Sequence, residues 1–190
     1  MFKPEGYDKA MVGNYMKFQD GENKIRILEQ PIAGYVYWTD SAGNIVPRGK
    51  MAGEGGKPIR AKQYDDFDME MRNSMKGFAA MVVWNYQVGK VQILEIKQSG
   101  IMASLEALAF SKSWGDITSF DIVVTRTRTG PNPMDVEYSV MPEPKEKLDK
   151  AIAEAYEESH INLNALYEGK NPFGKEEINV EDIDLADLDA

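Results

Sequence analysis

Two kinds of side chain in this sequence suit one chemistry: cations gathered in a glycine-rich stretch, and aromatics spaced two apart. Between Pro47 and Lys62 lie Arg48, Lys50, Lys57, Arg60 and Lys62 against the single acid Glu54, with five glycines from Gly43 to Gly56. A flexible basic loop of this kind neutralises phosphates. In Gly34-Tyr35-Val36-Tyr37-Trp38, a strand places Tyr35 and Tyr37 on one face and Val36 and Trp38 on the other. The tyrosines read as stacking platforms, each base contributing about 1–3 kcal/mol, and Val36 and Trp38 as core. The alternative is that all four are packing residues. Arg126 and Arg128 continue the alternation of Ile122 and Val124, so they emerge where a strand leaves the core, either to meet phosphates or as a solvated strand end. Lys24 and Arg26, in an earlier alternating run, complete the cationic set.

Enzyme motifs fail on inspection. Gly53-Glu54-Gly55-Gly56-Lys57-Pro58 is no phosphate loop, because Met51 stands where the first glycine belongs and Pro58 where Ser or Thr must follow the lysine. Asp65, Asp66 and Asp68 offer carboxylates for Mg²⁺, but Met71 occupies the place where a calcium loop requires glycine. A solvated acidic turn is the plainer reading, and an acid-dependent nuclease a distant one. With no cysteine and one histidine, His160, there is no disulfide, thiol nucleophile or cysteine-held zinc, and little scope for a triad. His160 falls at a helix end, where a capping role suffices. No catalytic residue, metal or cofactor is expected.

The elements that must position these residues follow from periodicity. Lys24 to Leu28 and Gly34 to Trp38 alternate with period two, Pro31 and Gly34 falling between them as in a bent or interrupted strand. Residues 42–76 hold no sustained period and read as a long loop, with one helical turn near Asp66 to Met71. Phe78 to Tyr86 and Val91 to Ile96 flank Gln87-Val88-Gly89-Lys90 as a hairpin. Within it, Trp84 is in register with Phe78, Ala80 and Val82 and reads as core. Ser99 reads as the N-cap of a helix carrying Ile101, Leu105 and Leu108 to about Phe110. Asp121 to Arg128 and Val136 to Met141 form a second strand pair, which Pro142 and Pro144 end. Leu148, Ile152 and Tyr156 mark a terminal helix to about His160, with one more turn at Leu163 and Leu166. About five strands with one helix between the third and fourth suit a mainly β chain, an OB-fold barrel; an α+β sandwich fits the same pattern. The domain spans 1–167, and 168–190 are linker and acidic tail.

Charge sets the tail apart. Of a net charge of −9, residues 176–190 supply seven acids and no base, while residues 1–142 are balanced, seventeen bases against seventeen acids. Apolar residues stand among the tail's acids in Glu181-Asp182-Ile183-Asp184-Leu185 and in Asp187-Leu188-Asp189. That interleaving points to a disordered tail that engages partners, where a merely solvating run would lack anchors. The longest apolar run, Phe78 to Trp84, has seven residues, far short of the ~20 that span a bilayer. The opening Phe2-Lys3-Pro4-Glu5 does not resemble a signal peptide. A cytoplasmic location is expected.

Phe78-Ala79-Ala80-Met81-Val82-Val83-Trp84-Asn85-Tyr86, Val91-Gln92-Ile93-Leu94-Glu95-Ile96 and Trp114-Gly115-Asp116 together resemble the body of tailed-bacteriophage single-stranded DNA-binding proteins, across roughly residues 15–175. Asn23 to Leu28 resembles that family's opening strand, and Asn171-Pro172-Phe173 the junction before its acidic tail. The chain departs at Asp187-Leu188-Asp189-Ala190, where several such tails carry a terminal aromatic. The resemblance implies an OB barrel that coats single strands without sequence preference in phage replication and recombination. It also implies a tail that competes with DNA for the groove and recruits replication or recombination proteins, in the cytoplasm of an infected bacterium. An interaction adaptor or DNA-mimic inhibitor acting through the tail is the alternative.

Overall fold

In the strand Lys76–Asn85, Phe78, Ala80 and Val82 face one side and Met81 and Val83 the other, and all five are buried. A strand apolar on both faces must be central and covered twice. The computed structural model describes residues 13–40, 42, 44, 58–63 and 75–173. In chain order its strands are β1 (Tyr15–Met16), β2 (Gly21–Ile27), β3 (Ile32–Trp38), β4 (Pro58–Ala61), β5 (Lys76–Asn85), β6 (Lys90–Ile96), β7 (Phe120–Arg128) and β8 (Val136–Lys145). The helices are α1 (Ser99–Phe110), α2 (Lys150–Ser159) and a 3-10 helix, Leu163–Glu168.

All eight strands belong to one open sheet in the order β1-β6-β5-β2-β7-β8, with β3 on β5 and β4 on β3. Both β2 and β3 pair antiparallel with β5: Ile27 lies opposite Val83 and Ile32 opposite Ala80. Leu28 to Pro31 therefore face only Met81 and Val82, a bulge at which Pro31 has no N–H to give the ladder. The two alternating runs are thus one interrupted strand along one edge of β5.

On one face α1 lays Ile101 and Leu105 against Ile27, Met81, Val83, Leu94, Phe120 and Ile122. On the other, Leu163 and Leu166 of the 3-10 helix, with Tyr156 of α2, cover Val36, Phe78, Val82 and Ile93. Asp149 caps α2 by accepting from the Ala151 N–H at 2.8 Å. His160 ends it in the left-handed region, φ 49°. No helix among the described residues is long and apolar enough to cross a membrane.

A mainly β chain with one inserted helix is present, but the sheet has eight strands and is open where five in a barrel were expected. Two of the additions escape periodicity: β1 has two residues, and β4 lies inside the expected 42–76 loop. The helical turn placed near Asp66 to Met71 lies outside the described residues. The prolines do not end the sheet, since β8 runs through Pro142 and Pro144 to Lys145. Among the described residues β8 pairs only with β7, and an edge strand has outward N–H positions where proline costs no hydrogen bond.

Candidate nucleic-acid interface

β4 exists because Gly34 lets it approach β3. A Cβ at Gly34 would overlap the Ala61 carbonyl oxygen, so glycine is required for the pairing that sets Arg60 opposite Val36 and Pro58 opposite Trp38. Arg60 thereby shares the face of Phe78, its guanidinium 5.7 Å from that ring's centroid. On β6 the same face reads Val91, Ile93, Glu95, turning from apolar to charged as the strand leaves the core, and Lys97 follows. Arg60 Nη2 donates to Glu95 Oε2 at 2.6 Å, and Lys97 Nζ lies 2.8 Å from Glu95 Oε1. Lys97 Nζ is also 5.3 Å from the centroid of the Trp38 ring. Arg60 Nε is buried and makes no hydrogen bond among the described residues.

β1 supplies the opposite wall. Its parallel pairing places Tyr15 beside Ile93, and the Tyr15 ring, 39% exposed, meets Phe173 edge-on at 5.5 Å. Burial raises the Tyr15 hydroxyl above its ordinary pKa, with Arg60 opposing the rise and Glu95 adding to it. Phe173 is seated by its bridge to Ile161. A hollow of about 280 Å³ lies among Tyr15, Lys17, Trp38, Pro58, Arg60, Glu95 and Lys97. Past Tyr15 it continues to Lys170, Asn171 and Phe173. Lys62 stands nearby, its Nζ 5.2 Å from the Tyr167 ring centroid, and Lys170 is held 2.6 Å from Glu168.

The groove offers cations at its rim and aromatic rings in its walls, the pairing that a single strand requires for its phosphates and bases. The residues between β3 and β4 in sequence include Arg48, Lys50 and Lys57, and Trp38 and Pro58, where those strands end and begin, both line this groove. A second hollow, of about 400 Å³, lies between α1 and the sheet among Ile27, Ala33, Met81, Leu105, Phe110 and Ile117. Among the described residues its only charged lining residue is Glu106, so it suits apolar groups and repels phosphate. No family model, curated protein or solved structure matches the chain.

Of the residues expected to bind single strands, the structure brings Arg60 to the groove, while Lys62 lies over the Tyr167 ring and does not line it. Arg48, Lys50 and Lys57 lie outside the described residues, as do Glu181, Asp182, Ile183, Asp184, Leu185, Asp187, Leu188 and Asp189. Arg26 must be corrected. It is 3% exposed, donating from Nε to Thr118 O at 2.8 Å, from Nη1 to Asp121 Oδ1 at 3.1 Å and from Nη2 to Glu146 O at 2.6 Å. An arginine so enclosed ties β2 to β7 and to the end of β8, and no phosphate reaches it. Lys24 is drawn into the same network, 2.7 Å from Glu143 and 3.3 Å from Asp121. The hydrogen bond to Glu143, before the nearby Asp121, raises its pKa. Arg126 and Arg128 both pair with Asp20, just before β2, and neither lines the groove.

The two tyrosines share a face, as alternation requires, but Tyr37 is only 7% exposed, packed with Met75, Tyr35 and Ala61. It cannot act as an open platform in this conformation. Tyr35 is half-buried in the same cluster. Trp84, expected in the core, is half-buried at the β5–β6 turn. Sequence reasoning missed Tyr15, whose two-residue strand has no period to detect, and read Trp38 as core only. Trp38 does pack against the Val36 cluster, yet its ring also lines the groove. The Glu95 and Lys97 signal was readable: the apolar face of β6 ends in two charges, as a strand does where it enters a polar site.

Proposed function

We propose that this protein binds single-stranded DNA without sequence preference, in the groove between Tyr15, Trp38, Arg60 and Lys97, and performs no chemistry. The observation that carries this reading is the convergence of two aromatic rings and several cations on one open groove. The strand pairing supports an OB-type architecture. The interrupted strand β2–β3 takes the first position, β5 and β6 the second and third, α1 follows, and β7 and β8 are fourth and fifth. OB folds bind oligonucleotides on the face of strands two and three and on the loop joining strands one and two. Here β6 supplies Glu95 and the residue after it Lys97, and the β3–β5 connection carries Arg60 and Lys62.

The resemblance to phage single-strand-binding proteins extends the proposal to replication and recombination in an infected bacterial cytoplasm. The acidic tail, which follows Phe173 in sequence, repels or competes with DNA and recruits partner proteins through Ile183, Leu185 and Leu188. The test is fluorescence anisotropy of labelled oligo-dT and of a duplex of equal length over a range of salt. Neutralising Z phosphates of a single strand gives a log–log slope of about −0.7Z, so four or five cationic contacts give about −3. Preference for the single strand, an intact oligonucleotide afterwards and a steep slope are expected; equal affinity for the duplex, or a slope near zero, would refute it.

A further inference from the structure

Glu95 is an anomaly in a groove built for phosphates. Among the described residues it is the only acid lining the hollow between Tyr15 and Trp38, and its side chain is 9% exposed, wedged between Arg60 and Lys97. The two cations are not equivalent. The Arg60 side chain is 11% exposed and lies behind the carboxylate, whereas that of Lys97 is 36% exposed and lies in front of it, beside the Trp38 ring. Glu95 Oε1, 2.8 Å from the Lys97 ammonium as an ion pair and in no hydrogen bond among the described residues, occupies the place a phosphate oxygen would take.

We propose that Glu95 is a built-in counter-ion that masks Lys97: it occupies the ammonium until DNA arrives, and a phosphate then takes Lys97 while Arg60 keeps Glu95 in place. The inference rests on the groove being the single-strand site. Arg60, oriented by one hydrogen bond and stacked over Phe78, anchors the carboxylate, so the exchange moves only the more exposed lysine. The consequence is a site of moderated affinity, since each strand bound must first break an ion pair worth about a two- to fivefold change in equilibrium.

The experiment measures oligo-dT affinity against salt for the full chain, Glu95→Gln, Lys97→Gln and the double variant, with a thermal melt of each. The amide of Glu95→Gln still accepts from Arg60 but no longer holds Lys97. Expected are two- to fivefold tighter binding at low salt and a log–log slope steeper by about 0.7, one cation more. Lys97→Gln should weaken the Glu95→Gln background two- to fivefold more than it weakens the wild type, and so cancel the gain. A folded Glu95→Gln that binds no tighter overturns the proposal. So does Lys97→Gln alone weakening the wild type fivefold or more, because Lys97 is then already open to DNA; this arm decides the matter if Glu95→Gln does not fold. Failure of the wild type itself to bind oligo-dT is a different result: it removes the functional reading and the masking with it.

Discussion

Replacing Asp121 with alanine separates the cations that hold the sheet from those that face a ligand. Asp121 is 5% exposed and accepts from Arg26 Nη1 at 3.1 Å and from the Tyr86 hydroxyl at 3.1 Å, with Lys24 Nζ at 3.3 Å. Without it, Arg26 keeps its two carbonyl acceptors but no counter-charge. Leaving a buried charge unpaired costs about 3–5 kcal/mol, a large fraction of the ~5–15 kcal/mol that keeps a domain folded. For a chain of this size each kcal/mol lowers Tm by about 2–4 °C, so a fall of about 6–20 °C is expected. Urea unfolding followed by circular dichroism gives the stability, and oligo-dT titration well below the melting transition gives the affinity, which should stay within twofold of wild type. A stability loss under 1 kcal/mol, or a tenfold gain in affinity with the fold intact, would show that Arg26 and Lys24 face DNA once freed of their counter-charge.

Tyr15→Ala should weaken oligo-dT binding by the worth of one stacked base, about 1–3 kcal/mol, with little change in Tm. Tyr37→Ala should do the reverse, lowering stability by about 3 kcal/mol as a buried aromatic while folded protein binds normally; paired melts and titrations decide between them. Gly34→Ala should push β4 off β3, because the added carbon meets the Ala61 carbonyl. It should weaken binding through displaced Arg60 as well as lower Tm, and wild-type values of both would contradict that geometry. At alkaline pH, burial and then the neighbouring Asp121 push Tyr86 up to about 12, and burial and then Glu29 do the same for Tyr156. Both hydroxyls hold their protons more tightly folded than unfolded, so their contribution is complete below pH 10 and is lost as pH rises through 10 towards 12. Tyr86→Phe should flatten this alkaline decline in Tm, and an unchanged pH profile would exclude Tyr86 as a source.

Where the sequence was legible, local pattern and tertiary structure agree. The Phe78–Tyr86 and Val91–Ile96 runs fold as β5 and β6 around a turn in which Gly89 takes φ +61°. The helix ends at Phe110 as expected, but Gln98, with no side-chain cap hydrogen bond, takes the N-cap position expected of Ser99, and Leu163 and Leu166 do form a further turn. The strand pairings invisible to periodicity are those made by tertiary contact alone. β4 depends on the missing side chain of Gly34, and β1 on the far-off edge of β6. The same limit explains the site. Alternation assigns Tyr37 to a face but not to exposure, which depends on Met75 and Ala61 from other elements. Arg26 carries the same charge as Arg60, and only the placement of Asp121 on the neighbouring strand makes one a structural tie and leaves the other in a groove.

The most direct test of the central claim uses the tryptophans as reporters. Of Trp38, Trp84 and Trp114, only Trp38 lines the groove. Titration with oligo-dT should therefore quench the emission of the wild type and of Trp84→Phe, and Trp38→Phe should lose most of the quench while still binding by anisotropy. Quenching that survives in Trp38→Phe at wild-type amplitude, or binding with no quench in any of the three proteins, would place the single strand somewhere other than this groove.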